Sequence, residues 1–188
     1  MNKLIVIEGI DGSGKTTNAL GLARSIKATY FKTPQEKFDE VRKLFNTCGD
    51  IKAKYLFYLA TLQLASCEVK KLLEYTDVVA DRWLTSTICY HAVCGVKTDF
   101  VNISKMDILE PDFHICLTIS NRNEWLARTR RKEGEYLAIQ LEREWERYNK
   151  ISHLMASFTR AKKGLIIDTG LPKTEEVVKR MRLFINKA

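Results

Sequence analysis

The sequence predicts an α/β fold, a three-layer sandwich in which a five-stranded parallel sheet is covered by helices on both faces. Three observations predict it. Five short apolar runs alternate with stretches of helical spacing, which argues for parallel strands joined by crossover helices. The first run, Leu4 to Ile7, passes through a glycine-bearing loop straight into a helical stripe. The chain has 188 residues, 45% hydrophobic and 29% charged, enough for one sizeable core with an ordinary composition. Residues 1–188 therefore read as a single domain, without internal repeat, low-complexity tract or linker.

Each element has its own local reason. After the Leu4 to Ile7 strand, Ala19, Leu22, Ala23 and Ile26 recur at i, i+3, i+4 and i+7, one buried helix stripe. Ala28 to Thr33 is the second strand, ended by Pro34. Val41, Leu44 and Phe45 indicate a brief helix before the turn residues Cys48, Gly49 and Asp50. Lys52 to Tyr75 carries the longest helical pattern, with Leu56, Leu59, Ala60, Leu64, Leu72 and Leu73 expected on its buried side. Asp77 to Asp81 is a strand ending in an acid, and Leu84 to Val93 a helix with Gly95 as its stop. Pro111 introduces the strand His114 to Ile119. Asn123 to Phe158 reads as helical with a break near Gly134, and Leu165 to Asp168 is the fifth strand. Glu175 and Glu176 open the final helix and Lys179, Arg180 and Arg182 follow, an order that suits the helix dipole.

The net charge of +8 fits either nucleic-acid binding or the handling of polyanionic small molecules. Lysines and arginines are scattered from end to end without an aromatic platform, which favours small polyanions and no nucleic acid. No apolar run approaches the ~18 residues of a membrane span, so no membrane partner is expected. Five irregularly spaced cysteines, Cys48, Cys67, Cys89, Cys94 and Cys116, indicate neither a disulfide framework nor a zinc site, and a reducing cytoplasm is the expected location.

Gly9 to Thr16 fits G-x-x-x-x-G-K-S/T in the strand, loop, helix context the motif requires. Gly9, Gly12 and Gly14, with Asp11 and Ser13 between them, would let backbone amides cradle phosphate oxygens at a helix N-terminus that continues into Thr17. Lys15 would reach the outer phosphates of a nucleoside triphosphate, and the Thr16 hydroxyl would sit on Mg²⁺. Asp81 and Arg82 end a parallel strand, where ligands of open α/β sheets collect. A carboxylate there can help hold Mg²⁺ or take a proton, and an arginine can hold reacting phosphates in line. Arg122, Arg128, Arg130, Arg131 and Lys132 cluster in a lid-like segment, about 122–140. Eight basic against six acidic side chains from Arg122 to Lys150 make that region nearly neutral, which suits a lid closing arginines on a triphosphate better than a nucleic-acid patch. Arg128 and Arg131, one turn apart, are the catalytic candidates of that segment.

The loop EGIDGSGKTT, the later DRW followed by a serine and CYH, the strand beginning PDF, and R-x-x-R-x-x-G-E together resemble the thymidylate kinase family over nearly the whole chain, Lys3 to about Phe184. The resemblance implies a P-loop three-layer sandwich with a small helical lid that uses ATP and Mg²⁺ to phosphorylate thymidine monophosphate, in a family that commonly forms homodimers through helices. Asp11, Lys15 and Thr16 then belong to the donor phosphates and metal, and Asp81 to the catalytic carboxylate role. Arg42 and Arg82 resemble acceptor-side arginines, and Phe57 the aromatic that stacks on the base. Thr87 and His91 fall beside the base, and Tyr148 in the helix after the lid. Thr61 stands where the family usually has a base-reading arginine, His91 where glutamine is common, and Lys32-Thr33-Pro34-Gln35 where Arg-Glu-Pro-Gly-Gly is usual. Losing one charge-assisted hydrogen bond relaxes base preference by about one to two powers of ten. Another nucleotide or deoxynucleoside as acceptor, or a nucleotide-dependent sensor without kinase activity, therefore stand as alternatives.

Overall fold

The computed structural model describes residues 1–130 and 138–187. Arg131 and the expected break near Gly134 lie outside the described residues. Five strands, β1 (Leu4–Gly9), β2 (Thr29–Lys32), β3 (Val78–Asp81), β4 (Phe113–Thr118) and β5 (Leu165–Asp168), form one sheet in the order β2-β3-β1-β4-β5. All four pairings are parallel. Seven α-helices are described: α1 (Lys15–Ile26), α2 (Asp39–Thr47), α3 (Ile51–Leu72), α4 (Leu84–Val93), α5 (Arg122–Arg130), α6 (Ala138–Ala161) and α7 (Thr174–Ile185). Two short 3₁₀ turns, Thr98–Phe100 and Ile103–Lys105, occupy the connection before β4, which the sequence pattern left without structure.

The period of two along β1 sorts its side chains between the layers. Ile5 and Ile7 pack with Ala19 and Leu22 of α1 and Val177 and Met181 of α7. Leu4 and Val6 pack with Leu62, Ala65 and Val69 of α3. Further along that second face, Cys116 of β4 meets Cys89 of α4 and Ile151 and Met155 of α6. Among the described residues, no helix is long and apolar enough to cross a membrane.

The α3 pattern needs a correction. Leu56 and Leu64, expected on the buried side, are 46% and 51% exposed, and Ala60 between them is exposed as well. The buried face is Tyr55, Leu59, Leu62, Ala65, Ser66 and Val69. The helix is apolar on two sides, so periodicity alone does not choose which side meets the sheet. Asp50 fixes its start, accepting from the backbone N–H groups of Lys52 and Ala53.

Ile7 is fully buried in the central strand. Ile7→Ala is expected to cost about 2–5 kcal/mol, read as a shift in the urea unfolding midpoint. A loss below about 1 kcal/mol would contradict its place between α1 and α7.

Candidate active site

The loop after β1 is tied down from behind. A Cβ on Gly9, whose φ is +151°, would collide with the Leu117 carbonyl oxygen of neighbouring β4, so only glycine lets the chain pass that strand. Trp125 Nε1 donates to the Asp11 carbonyl at 2.8 Å, and its indole fills the space a Gly12 Cβ would need. The Arg128 guanidinium donates to the Gly12 carbonyl at 3.4 Å and to the Thr169 carbonyl at 2.6 Å, while its Nε pairs with Glu124 at 2.7 Å. Thr169 Oγ1 donates to the Ser13 carbonyl at 2.9 Å. Carbonyls that would repel a phosphate are thus already bonded to donors.

Lys15 is 6% exposed and folds back along the loop, its Nζ donating to the Ile10 carbonyl at 2.7 Å with Asp11 Oδ1 at 3.8 Å. Burial, helped by repulsion from Arg82, lowers its pKa to about 7 against the pull of Asp11, Asp81 and Glu8.

Register carries Asp81 to this loop, because Asp81 stands opposite Ile7 of β1 and Lys32 of β2. Its Oδ2 accepts from Thr16 Oγ1 at 2.6 Å and from the Tyr30 hydroxyl at 3.1 Å. Burial and the Asp81 charge push the Tyr30 phenol up, so it stays a donor. Asp81 Oδ1 is buried with no partner among the described residues. A buried, unsatisfied carboxylate oxygen beside a hydroxyl is a hard-oxygen donor set suited to a small divalent cation that takes its remaining ligands from water and phosphate.

Arg82 follows with φ +73°, a conformation rare for a side chain of its size. Its guanidinium pairs with Asp11 and lies 5.2 Å from the centroid of the Tyr90 ring. Behind it, the buried carboxylate of Glu8 accepts from the backbone N–H groups of Trp83 and Ser86 at 3.0 and 3.1 Å, so a negative group sits at the N-terminus of α4. Burial raises the Glu8 pKa, and those donors with Arg82 oppose the rise.

These groups open on one cleft of about 710 Å³. Of the candidates read from sequence, Asp11, Gly12, Gly14, Lys15, Thr16, Thr17, Asp81, Arg82 and Arg128 line it on the loop side. Tyr148, against the Trp125 and Tyr90 rings, lines it beside the loop as well, and Arg42, Thr61, Thr87 and His91 complete its wall. Gly9 and Ser13 are absent from the wall, the first under Leu117 and the second fully buried.

Phe57 also differs from its expected place. It is 8% exposed and stacks on Phe45 of α2 with centroids 4.8 Å apart and planes 13° from parallel, and the aromatic of α3 that lines the cleft is Tyr58. One residue along a helix is a turn of about 100°, enough to exchange wall for core. Phe57 holds α2, which buries no residue of its own and carries Arg42. Arg42 itself pairs with Asp39 at 3.0 Å.

Sequence reasoning missed Glu8, Tyr30, Tyr58, Tyr90 and the loop-holding role of Trp125. Glu8 had a signal, an acid ending an otherwise apolar central strand. The others depend on contacts between elements.

With a free Lys15 pKa near 7, binding a nucleoside triphosphate should restore the ammonium, because phosphate oxygens favour the charged form. Between pH 7 and about 10 the free site holds fewer protons than the bound one. At pH 8 binding is expected to take up close to one proton, seen as a binding enthalpy that varies with buffer ionisation enthalpy. No buffer dependence would refute the buried, neutralised lysine.

Comparison with known proteins gives the family and the fold. The thymidylate kinase family model matches residues 7–181. A probable thymidylate kinase of Methanococcus vannielii is 32% identical over 184 residues, covering 95% of this chain and 92% of its own. A thymidylate kinase structure from Candida albicans superposes with TM-score 0.74 at 20% identity, over 99% of this chain and 92% of that one. One from Ehrlichia chaffeensis gives TM-score 0.74 at 19% identity, over 98% of both chains. With the family model spanning most of its length, the chain belongs to the thymidylate kinase family of phosphotransferases, a membership that implies ATP as phosphate donor.

Proposed function

We propose that this chain phosphorylates thymidine monophosphate to the diphosphate, with ATP as donor and Mg²⁺ as the metal. The observation that carries the reading is the continuity of the cleft, which runs from Gly12, Lys15 and Thr16 past Asp81 and Arg82 to Tyr58, Thr87 and His91. A donor triphosphate on the loop and an acceptor on the far wall would meet between Lys15 and Arg82. An acceptor phosphate oxygen attacks the γ-phosphorus, the bond to the β,γ-bridging oxygen breaks, and its electrons leave with ADP.

Each side chain has a part in that step. Lys15, released from the Ile10 carbonyl, spreads the charge of the outer phosphates. Arg82, released from Asp11, holds the acceptor phosphate in line, and Arg42 steadies it from α2. Thr16 Oγ1 and Asp81 would hold Mg²⁺, which neutralises phosphate charge when bound. Arg128 supports the loop through Gly12 and Thr169 in addition to facing the donor. The apolar stripe of Leu56, Ala60 and Leu64 on α3 supports a homodimer, and the reducing environment suggested by the free thiols a cytoplasmic enzyme.

A second reading, a kinase for another acceptor, is favoured by one observation. The Thr61 hydroxyl donates to the Tyr58 carbonyl of its own helix at 2.9 Å, which leaves no donor at that position for a base.

The deciding experiment measures ADP formation from ATP and Mg²⁺ with thymidine, deoxyuridine and deoxycytidine monophosphates, unphosphorylated thymidine and a no-acceptor control. Turnover highest with thymidine monophosphate is expected. Acceptor-independent hydrolysis alone would sink the kinase reading. Lys15→Ala is expected to lower turnover by about 10³-fold or more while the far-ultraviolet circular dichroism stays unchanged, and retained turnover would remove Lys15 from the chemistry.

A further inference from the structure

The wall that faces the acceptor holds an unclaimed cation. Lys54, in the first turn of α3, lines the cleft with Tyr58, Thr61 and His91. Positions 54, 58 and 61 fall at i, i+4 and i+7, one face of the helix. Its backbone N–H caps onto the Asp50 carbonyl, but among the described residues the Lys54 ammonium has neither an ion-pair partner nor a hydrogen bond. It is half-buried, so its charge is partly withdrawn from water without a protein counter-ion.

His91 supplies the complementary group. Its Nδ1 lies 2.7 Å from the Thr87 carbonyl oxygen, and a carbonyl only accepts, so Nδ1 carries the hydrogen. Burial, with the nearby charge of Lys54, holds the imidazole below its ordinary pKa and therefore neutral, which the backbone bond to Thr87 only partly offsets. In that tautomer Nε2 is an acceptor, and it has no partner among the described residues. The Tyr55 and Tyr58 rings pack on the imidazole at 5.1 and 5.5 Å and fix its plane.

A cationic donor and a neutral acceptor on one pocket wall match a base edge that shows a keto oxygen next to an imino N–H. Thymine and uracil show that edge among the pyrimidines, and guanine shows it among the purines. Cytosine and adenine show the reverse, an amino group next to an unprotonated ring nitrogen, which would set N–H against ammonium and lone pair against lone pair. We propose that Lys54 is the specificity-determining residue of the acceptor pocket, donating to the keto oxygen of the base while His91 Nε2 accepts from the adjacent imino N–H. The inference rests on the proposed thymidine monophosphate kinase function and adds the residue that reads the base.

The test is steady-state kinetics of the full chain with ATP, Mg²⁺ and thymidine, deoxyuridine or deoxycytidine monophosphate, for the unsubstituted protein, Lys54→Met and Lys54→Arg. Lys54→Met keeps the length of the side chain and removes its charge. It is expected to raise KM for the thymidine and deoxyuridine nucleotides about tenfold, with kcat and the KM for ATP held within about a factor of two and the KM for deoxycytidine monophosphate lowered, because the opposed ammonium is gone. Lys54→Arg is expected to recover most of the preference. An unchanged acceptor ratio in Lys54→Met, or an equal loss with all three acceptors, overturns the assignment while the kinase reading stands. Failure of the unsubstituted chain to use any monophosphate overturns both, and it is seen before any variant is made.

Discussion

The parallel pairing of β1 with β3 is the constraint on which the site depends. Ile7 and Asp81 are register partners, so the carboxylate emerges beside the strand that feeds the phosphate loop. Thr16 then reaches it from the first turn of α1 and Tyr30 from β2. A slip of one residue would turn Asp81 to the opposite face and bring a neighbour into its place. The core forbids that slip. Val79 packs with α1 and α7, whereas Val78 and Ala80 pack with α3, so the apolar alternation that buries β3 also aims Asp81. Catalytic placement and core packing are the same fact about this strand.

The same alternation explains the most costly group in the scaffold. Glu8 continues the face of Leu4 and Val6, where it meets the start of α4 instead of apolar side chains. A buried carboxylate is expensive unless donors surround it, and here two backbone N–H groups and the Ser86 hydroxyl do so. Those bonds fix where α4 begins. Arg82 comes just before that start, held in its left-handed conformation between the Ile7 carbonyl, which its own N–H reaches, and the Thr33 hydroxyl, which its carbonyl accepts. The strain at Arg82 is sustained by contacts on both sides, and it sets the guanidinium against Asp11 and Tyr90.

What the sequence made legible was local. The loop from Gly9 to Thr16 is a contiguous motif, and an acid at the end of a short apolar strand marks Asp81 without any alignment. The five strands followed from their apolar runs. Phe57 and Tyr58 were not separable, because α3 is apolar on two sides and the choice of face belongs to the sheet and to α2. Trp125, Arg128 and Thr169 lie far from the loop in the chain, yet they bond its carbonyls. No spacing rule encodes a bond between residues more than a hundred positions apart.

The two halves of the cleft are held by different physics, and that bears on how its specificity is set. On the donor side the loop carbonyls of Asp11, Gly12 and Ser13 are bonded to the scaffold, so a substitution at Trp125, Arg128 or Thr169 leaves a loop carbonyl unsatisfied. On the acceptor side Thr61 closes its hydroxyl onto its own helix, and α2 rests on the stacking of Phe45 against Phe57. An arginine at position 61 would place a charge on a 5% exposed site and need an anion or a base carbonyl to satisfy it, whereas threonine needs neither. The cationic function is then free to be carried about two turns earlier, by a lysine closer to solvent whose stem can lie along the helix while its ammonium reaches the pocket. A flexible stem with a point charge tolerates small shifts of the base that a planar guanidinium would not. A pocket built this way selects the hydrogen-bonding edge of its base more strictly than the base's position.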